Sequence, residues 1–150
     1  MDKGGIEGKV ISVNVSAKTG ERKKNIGSCR LLEGHGLEGD AHAGDWHRQV
    51  SLLAEESIEK MRREGLDVGP GDFAENLTIR GIDLVSLPCG TKIRVGSDVL
   101  LEVTQIGKVC HDRCAIYYQA GDCVMPKEGI FAAVLKGGNV KVGDHVSVEE

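Results

Sequence analysis

The sequence predicts a mainly β, barrel-like chain with two or three short helices, on three observations. Aromatic residues make up only 3% of the chain while glycines number 21, so the core must be aliphatic and the backbone must turn often. Short runs alternate apolar and polar residues, the period of a half-buried strand. Glycine corners separate these runs, and many short strands with no linker between them favour a closed sheet, which leaves few edges exposed. With 150 residues the chain is expected to form one domain over residues 1–150, its core within about 6–148.

The elements follow in order. Ile11, Val13 and Val15 alternate with Ser12, Asn14 and Ser16, which predicts a strand over 9–16. A second strand is predicted over 26–32, and a glycine-dense loop over 34–44 comes next. Strand character returns over 48–53 and runs into a helix over 54–64. Glu55 and Glu56 stand at its start, Lys60, Arg62 and Arg63 at its end, and Gly65 at its stop. Gly69-Pro70-Gly71-Asp72 reads as a turn and 76–79 as a strand. Residues 92–106 form a hairpin with Gly96 at the tip. A second short helix is predicted over 128–136. The ending 140–146 echoes 93–99 in its apolar and glycine positions, which reads as two strand-turn-strand corners rather than a repeat.

Composition excludes several function classes. The formal net charge of -4 does not suit an electrostatic nucleic-acid binder. The longest basic run, Glu21-Arg22-Lys23-Lys24, is short and reads as a solvated turn. No run of 18 apolar residues is present and no secretory signal is visible, so neither a membrane nor nucleic acid is expected as a partner, and a cytoplasmic location is. An odd number of cysteines, five, argues against a disulfide framework in a reducing compartment.

Chemistry concentrates between Gly107 and Leu135, where three cysteines (Cys110, Cys114 and Cys123) surround His111 and Arg113. A thiol beside positive charge ionises more readily, and the thiolate is both nucleophile and soft metal ligand. Cys114 is the first candidate, with Arg113 adjacent and His111 three residues back. Cys110 and Cys123 are supporting thiols that could resolve a persulfide or complete a metal site. His111 suits a hydrogen bond to the thiolate or a general base. Cys29 and Cys89 read as core packing. Cys110, His111, Cys114 and Cys123 together also allow a structural zinc module, although the second ligand pair is poorly spaced. The 34–44 loop has no nucleotide-binding spacing. His42 and His47 flank the lone Trp46 beside that loop, where an indole could cover a flat ring.

Several segments then occur in a specific order: Gly36 to Gly44 (GLEGDAHAG), Arg48 to Leu53 (RQVSLL), Gly71 to Thr78 (GDFAENLT), Thr104 to Lys108 (TQIGK), and the cysteine loop closing on Gly129 to Ala132 (GIFA). Together they resemble the MOSC domain, named for the C-terminal domain of molybdenum cofactor sulfurase, of the stand-alone bacterial and archaeal type. The resemblance implies the β-barrel-like MOSC fold and a domain that binds the molybdenum cofactor (molybdopterin), carries sulfur as a cysteine persulfide, or both. In relatives that bind molybdenum the ligating cysteine follows an arginine, as Cys114 follows Arg113. Cofactor contacts would then fall to Arg48, Lys108 or Arg113 at the phosphate, with Asp72, Asn76 and His42 lining the site. Implied partners are a cysteine desulfurase, which would hold the pyridoxal phosphate, and molybdenum cofactor enzymes or biosynthesis proteins. A reductase component acting on N-hydroxylated compounds is the family's other activity.

Overall fold

The computed structural model describes residues 7–18, 22–41, 43–106 and 129–149. Among them run strands β1 (Glu7–Val15), β2 (Lys24–Asn25), β3 (Ser28–Leu32), β4 (Gly36–Leu37) and β5 (Val50–Ala54), then helix α1 (Glu55–Arg63). Strand β6 (Leu77–Arg80), a 3₁₀ turn at Leu84–Ser86, β7 (Lys92–Val95), β8 (Val99–Ile106), β9 (Ile130–Lys136), β10 (Gly138–Lys141) and β11 (His145–Glu149) complete them. Seven strands close a barrel in the order β1–β6–β5–β9–β8–β7–β11, with β11 paired back onto β1. The predicted mainly β barrel is what forms, with one helix and one 3₁₀ turn among the described residues. All neighbours in the ring are antiparallel except β5 and β6, which are parallel and connected through α1. Strand β2 continues alongside β1, and β10, β3 and β4 form a separate small sheet.

Helix α1 forms where the charge pattern placed it. Acidic residues occupy its first turn and basic residues its last, complementing the helix dipole, while Ile58 and Met61 are buried. Gly65 follows in the left-handed region, φ +98°, where a side chain would be strained. The helix expected over 128–136 is instead strand β9, residue 128 lying outside the described residues. Ile130, Ala132 and Val134 face the barrel core, whereas Phe131 joins the cluster outside it. A strand buried on both faces loses the polar alternation that marks a strand in sequence, so IFAAVLK could not be separated from a buried helix by period alone.

Strand β5 shows the same double burial. Leu52 packs in the interior, and its neighbour Leu53 packs outside against Ile58, Met61, Phe73 and Phe131. Successive residues of a strand point to opposite faces, so one run serves two cores. The two echoed corners both turn on a left-handed glycine, Gly96 (φ +63°) and Gly143 (φ +93°). The first closes a hairpin between β7 and β8, while the second carries the chain from the small sheet into the barrel. No helix among the described residues is long and apolar enough to cross a membrane.

Candidate functional site

The cysteine-bearing segment departs from the barrel and rejoins it at one place. Ile106, the last residue of β8, pairs with Ile130, the first of β9, and Gln105 pairs with Phe131. Arg48 is braced on that pair. Its guanidinium carbon lies 5.2 Å from the centre of the Phe131 ring and 5.9 Å from that of Trp46. Its Nε donates to Gln105 Oε1 at 3.0 Å. His47 Nε2 shares that oxygen at 2.8 Å, and the Thr104 hydroxyl donates to the His47 carbonyl. Cation, aromatic faces and imidazole therefore gather beside the residues from which the cysteine segment departs.

A buried polar row adjoins this cluster. Ser51, paired with Phe131 across the β5–β9 ladder, donates through both its amide and its hydroxyl to Asn76 Oδ1, at 2.9 and 3.1 Å. Asn76 Nδ2 donates to the Asn14 carbonyl at 3.1 Å, and the Asn76 side chain also hydrogen-bonds Asp40. Asp40 Oδ1 accepts from Lys23 Nζ at 2.7 Å and from the Ser16 amide at 3.1 Å. Both side chains of the Lys23–Asp40 pair are fully buried. Burial alone would raise the Asp40 carboxyl, but the Lys23 hydrogen bond and charge, with Asn76 and Ser16, outweigh it and hold the group below its ordinary value.

Glu75 is fully buried behind Asn76. Its Oε2 accepts from the Gly71 amide at 2.9 Å and the Thr78 hydroxyl at 2.7 Å, and its Oε1 from the Phe73 amide at 3.3 Å. Burial pushes this carboxyl up to about 7 against the pull of those donors. The loop it ties down needs glycine at 71: φ is +89°, and a Cβ there would stand 2.2 Å from the Lys23 carbonyl oxygen. Thr78 completes the bracing, since its Oγ1 also accepts from Asn14 Nδ2 at 3.2 Å. Thr78→Val keeps the shape but strands both partners, so a loss of about 2 kcal/mol in urea unfolding is expected. A loss below about 0.5 kcal/mol would show that the network re-forms without the hydroxyl.

Beyond Asp40 the row meets a groove of about 420 Å³, lined by Val15, Ser16, Ala17, Arg22, Lys24, Ile26 and Gly39. Apolar walls and two cations make it suited to an organic anion. Arg22 Nε is buried there without a hydrogen-bond partner, although the guanidinium end lies 3.5 Å from Asp72.

The structure sorts the expected site residues into three groups. Arg48 and the fully buried Asn76 are linked through Ser51 and Phe131. Asp72 sits on a turn, where Oδ2 accepts from the Gly69 amide at 2.8 Å and lies 3.5 Å from Arg22 of the groove. Cys110, His111, Arg113, Cys114, Cys123, Lys108 and His42 lie outside the described residues. Among the described residues no three metal-binding side chains gather. Two expectations need correction. Lys23 is no solvated turn residue but the buried partner of Asp40, and Cys89 is exposed rather than packed in the core. Cys29 is half-buried against the core, and burial pushes its thiol up. Gln105 and Ser51 lie within segments that carry the resemblance, but neither stood out as a site residue, because an amide or hydroxyl in a strand reads as its solvent face.

Comparison with known proteins agrees with this architecture. No curated protein matches the chain. The fold is shared with the YuaD protein of Bacillus subtilis, TM-score 0.80 at 20% identity, covering 95% of this chain and 96% of that one. YiiM of Geobacillus stearothermophilus superposes with TM-score 0.72 at 20% identity over 95% of this chain and 75% of its own. YiiM of Escherichia coli gives 0.69 at 20% identity over 97% and 70%. The MOSC domain family matches residues 38–147, a span that takes in Asp40, Arg48, Asn76, Gln105 and every cysteine but Cys29. The chain belongs to the MOSC domain family, whose members are associated with the molybdenum cofactor.

Proposed function

We propose that this domain holds the molybdenum cofactor and carries sulfur for it, with Cys114 as the thiol that bears a persulfide or ligates molybdenum. The observation that carries the reading is Arg48, stacked on Phe131 and Trp46 and held by Gln105, beside the point where the Cys114-bearing segment leaves β8. A flat anionic ligand needs an aromatic surface and a fixed cation, and this cluster offers both. The groove beyond Asp40, with its unpartnered Arg22 Nε, fits the same kind of ligand. When bound, the cofactor supplies a redox-active metal centre that exchanges a terminal sulfur ligand.

The chain's own residues have separate tasks. Arg48 meets the phosphate, assisted by Arg113 and Lys108 of the cysteine segment. Asn76, fully buried, braces the floor from behind, where Ser51 and Asp40 fix its amide. Arg113 and His111 keep the Cys114 thiol ionised and able to take a sulfur atom from a cysteine desulfurase, which would bring its own pyridoxal phosphate. The sulfur then passes to a molybdenum cofactor enzyme.

Intact-protein mass measurement with molybdenum analysis, before and after reduction, tests this. The wild-type chain incubated with a desulfurase is expected to gain one sulfur that reductant removes, and Cys114→Ala to gain none. Sulfur loading that survives Cys114→Ala moves the role to another cysteine. Arg48→Met is expected to lose bound cofactor while sulfur loading persists.

A further inference from the structure

The hydrogen bonds around Gln105 fix the tautomer of the neighbouring His47. Arg48 Nε is a donor and never an acceptor, so the Gln105 atom 3.0 Å from it must be the carbonyl oxygen. That same oxygen lies 2.8 Å from His47 Nε2. A carbonyl oxygen only accepts, so Nε2 must carry the proton, and in the neutral ring Nδ1 is left with a bare lone pair. The backbone on either side is tied down too. The Thr104 hydroxyl holds the His47 carbonyl, and the Trp46 ring stands edge-on to the imidazole at 5.8 Å.

We infer that His47 is the proton-accepting residue of this site, through an Nδ1 that Gln105 keeps free. The inference rests on Arg48 as the anion contact proposed above and adds the acid–base group beside it. Arg48 and His47 hang from one oxygen, so their relative placement is fixed before any ligand arrives. The ligand class follows from the pair: an anionic oxygen for the guanidinium, next to an ionisable O–H, N–H or S–H for the imidazole. On transfer the ligand's proton moves to Nδ1 and its bonding pair stays on the ligand. The ring becomes an imidazolium that still donates Nε2–H to Gln105, and Arg48 is the neighbouring cation that balances the new negative charge. Among the described residues, Trp46 and Arg48 along the chain and Gln105 and Thr104 from β8 stand beside His47, and Arg48 carries a charge.

Nitrogen-15 NMR of the full chain, with inorganic phosphate as the probe, tests this without requiring turnover. The wild-type His47 ring is expected in the Nε2–H tautomer at a pH where the ring is neutral, and phosphate at that pH is expected to move its Nδ1 signal toward the protonated position. Gln105→Leu should lose the tautomer preference. Arg48→Met should keep the tautomer and lose the phosphate effect. An Nδ1–H tautomer in the wild type overturns the inference. Phosphate that moves the Arg48 Nε signal but leaves the His47 Nδ1 signal unchanged overturns it alone. Phosphate that moves neither overturns it together with the reading of Arg48 as the anion contact.

Discussion

Lys23→Met is expected to destabilise the fold by 3–5 kcal/mol, the largest single effect in the described residues. The substitution takes the Lys23 ammonium from a carboxylate whose side chain is fully buried. The Ser16 amide and Asn76, which also donate to Asp40, carry no full charge. An ion pair of this kind contributes little over well-packed apolar residues, because desolvation offsets most of the attraction. Removal of one partner is a different matter, since it exposes the desolvation cost in full. Urea unfolding followed by circular dichroism measures the loss. The double variant Lys23→Met with Asp40→Asn should recover a large part of it, the uncompensated charge being gone. A loss below about 1 kcal/mol for the single variant, or no recovery in the double, would mean that the pair is hydrated in solution.

Stability should fall, not rise, as the pH is raised from about 4.5 to about 7, by about 3 kcal/mol at most. Glu75 is the cause. Its carboxyl ionises near 4.5 when the chain is unfolded and at about 7 when it is folded. Between these values the folded chain binds more protons than the unfolded one, so each rise in pH favours unfolding. The contribution is fully present below about 4.5 and is lost as pH passes through about 7. Asp40 acts in the opposite sense. Its folded value lies below 3.8, so its contribution is present above that pH and disappears on further acidification. The two carboxyls together place the optimum in mildly acidic solution. Urea midpoints taken from pH 4 to pH 8 should trace this slope, and Glu75→Gln should flatten its upper arm. A wild-type curve that is level over that range, or an unchanged slope in Glu75→Gln, would contradict the assignment.

What could be read from residues alone follows a physical boundary. β1 declared itself because its apolar residues alternate, and α1 because its charges run with the helix dipole. β9 did not, since Ile130 to Ala132 are buried on both faces and Ala133 and Leu135, on the outer face, are apolar and leave the period unmarked. The candidate site divides in the same way. Arg48 and Asn76 stood out through ordered motifs that resemble a family, and the fold brings them together. Lys23 could not be recognised because its partner lies 17 positions away, and a lysine among other basic residues normally faces water. Gln105 was hidden for a related reason. Its importance comes from sharing one oxygen between two neighbours, which depends on where the chain preceding β5 crosses β8.

The count of staves in the closed ring has a consequence of its own. Seven is odd, so strict up-and-down alternation cannot return to its starting point, and at least one adjacent couple has to share a heading. Here that couple is β5 and β6, and two same-heading staves cannot be joined by a tight hairpin. Helix α1 and the loop after it are thus the return path that parity demands. Shortening them to a hairpin turn would leave the chain a choice between a six-stave ring and an unsealed seam.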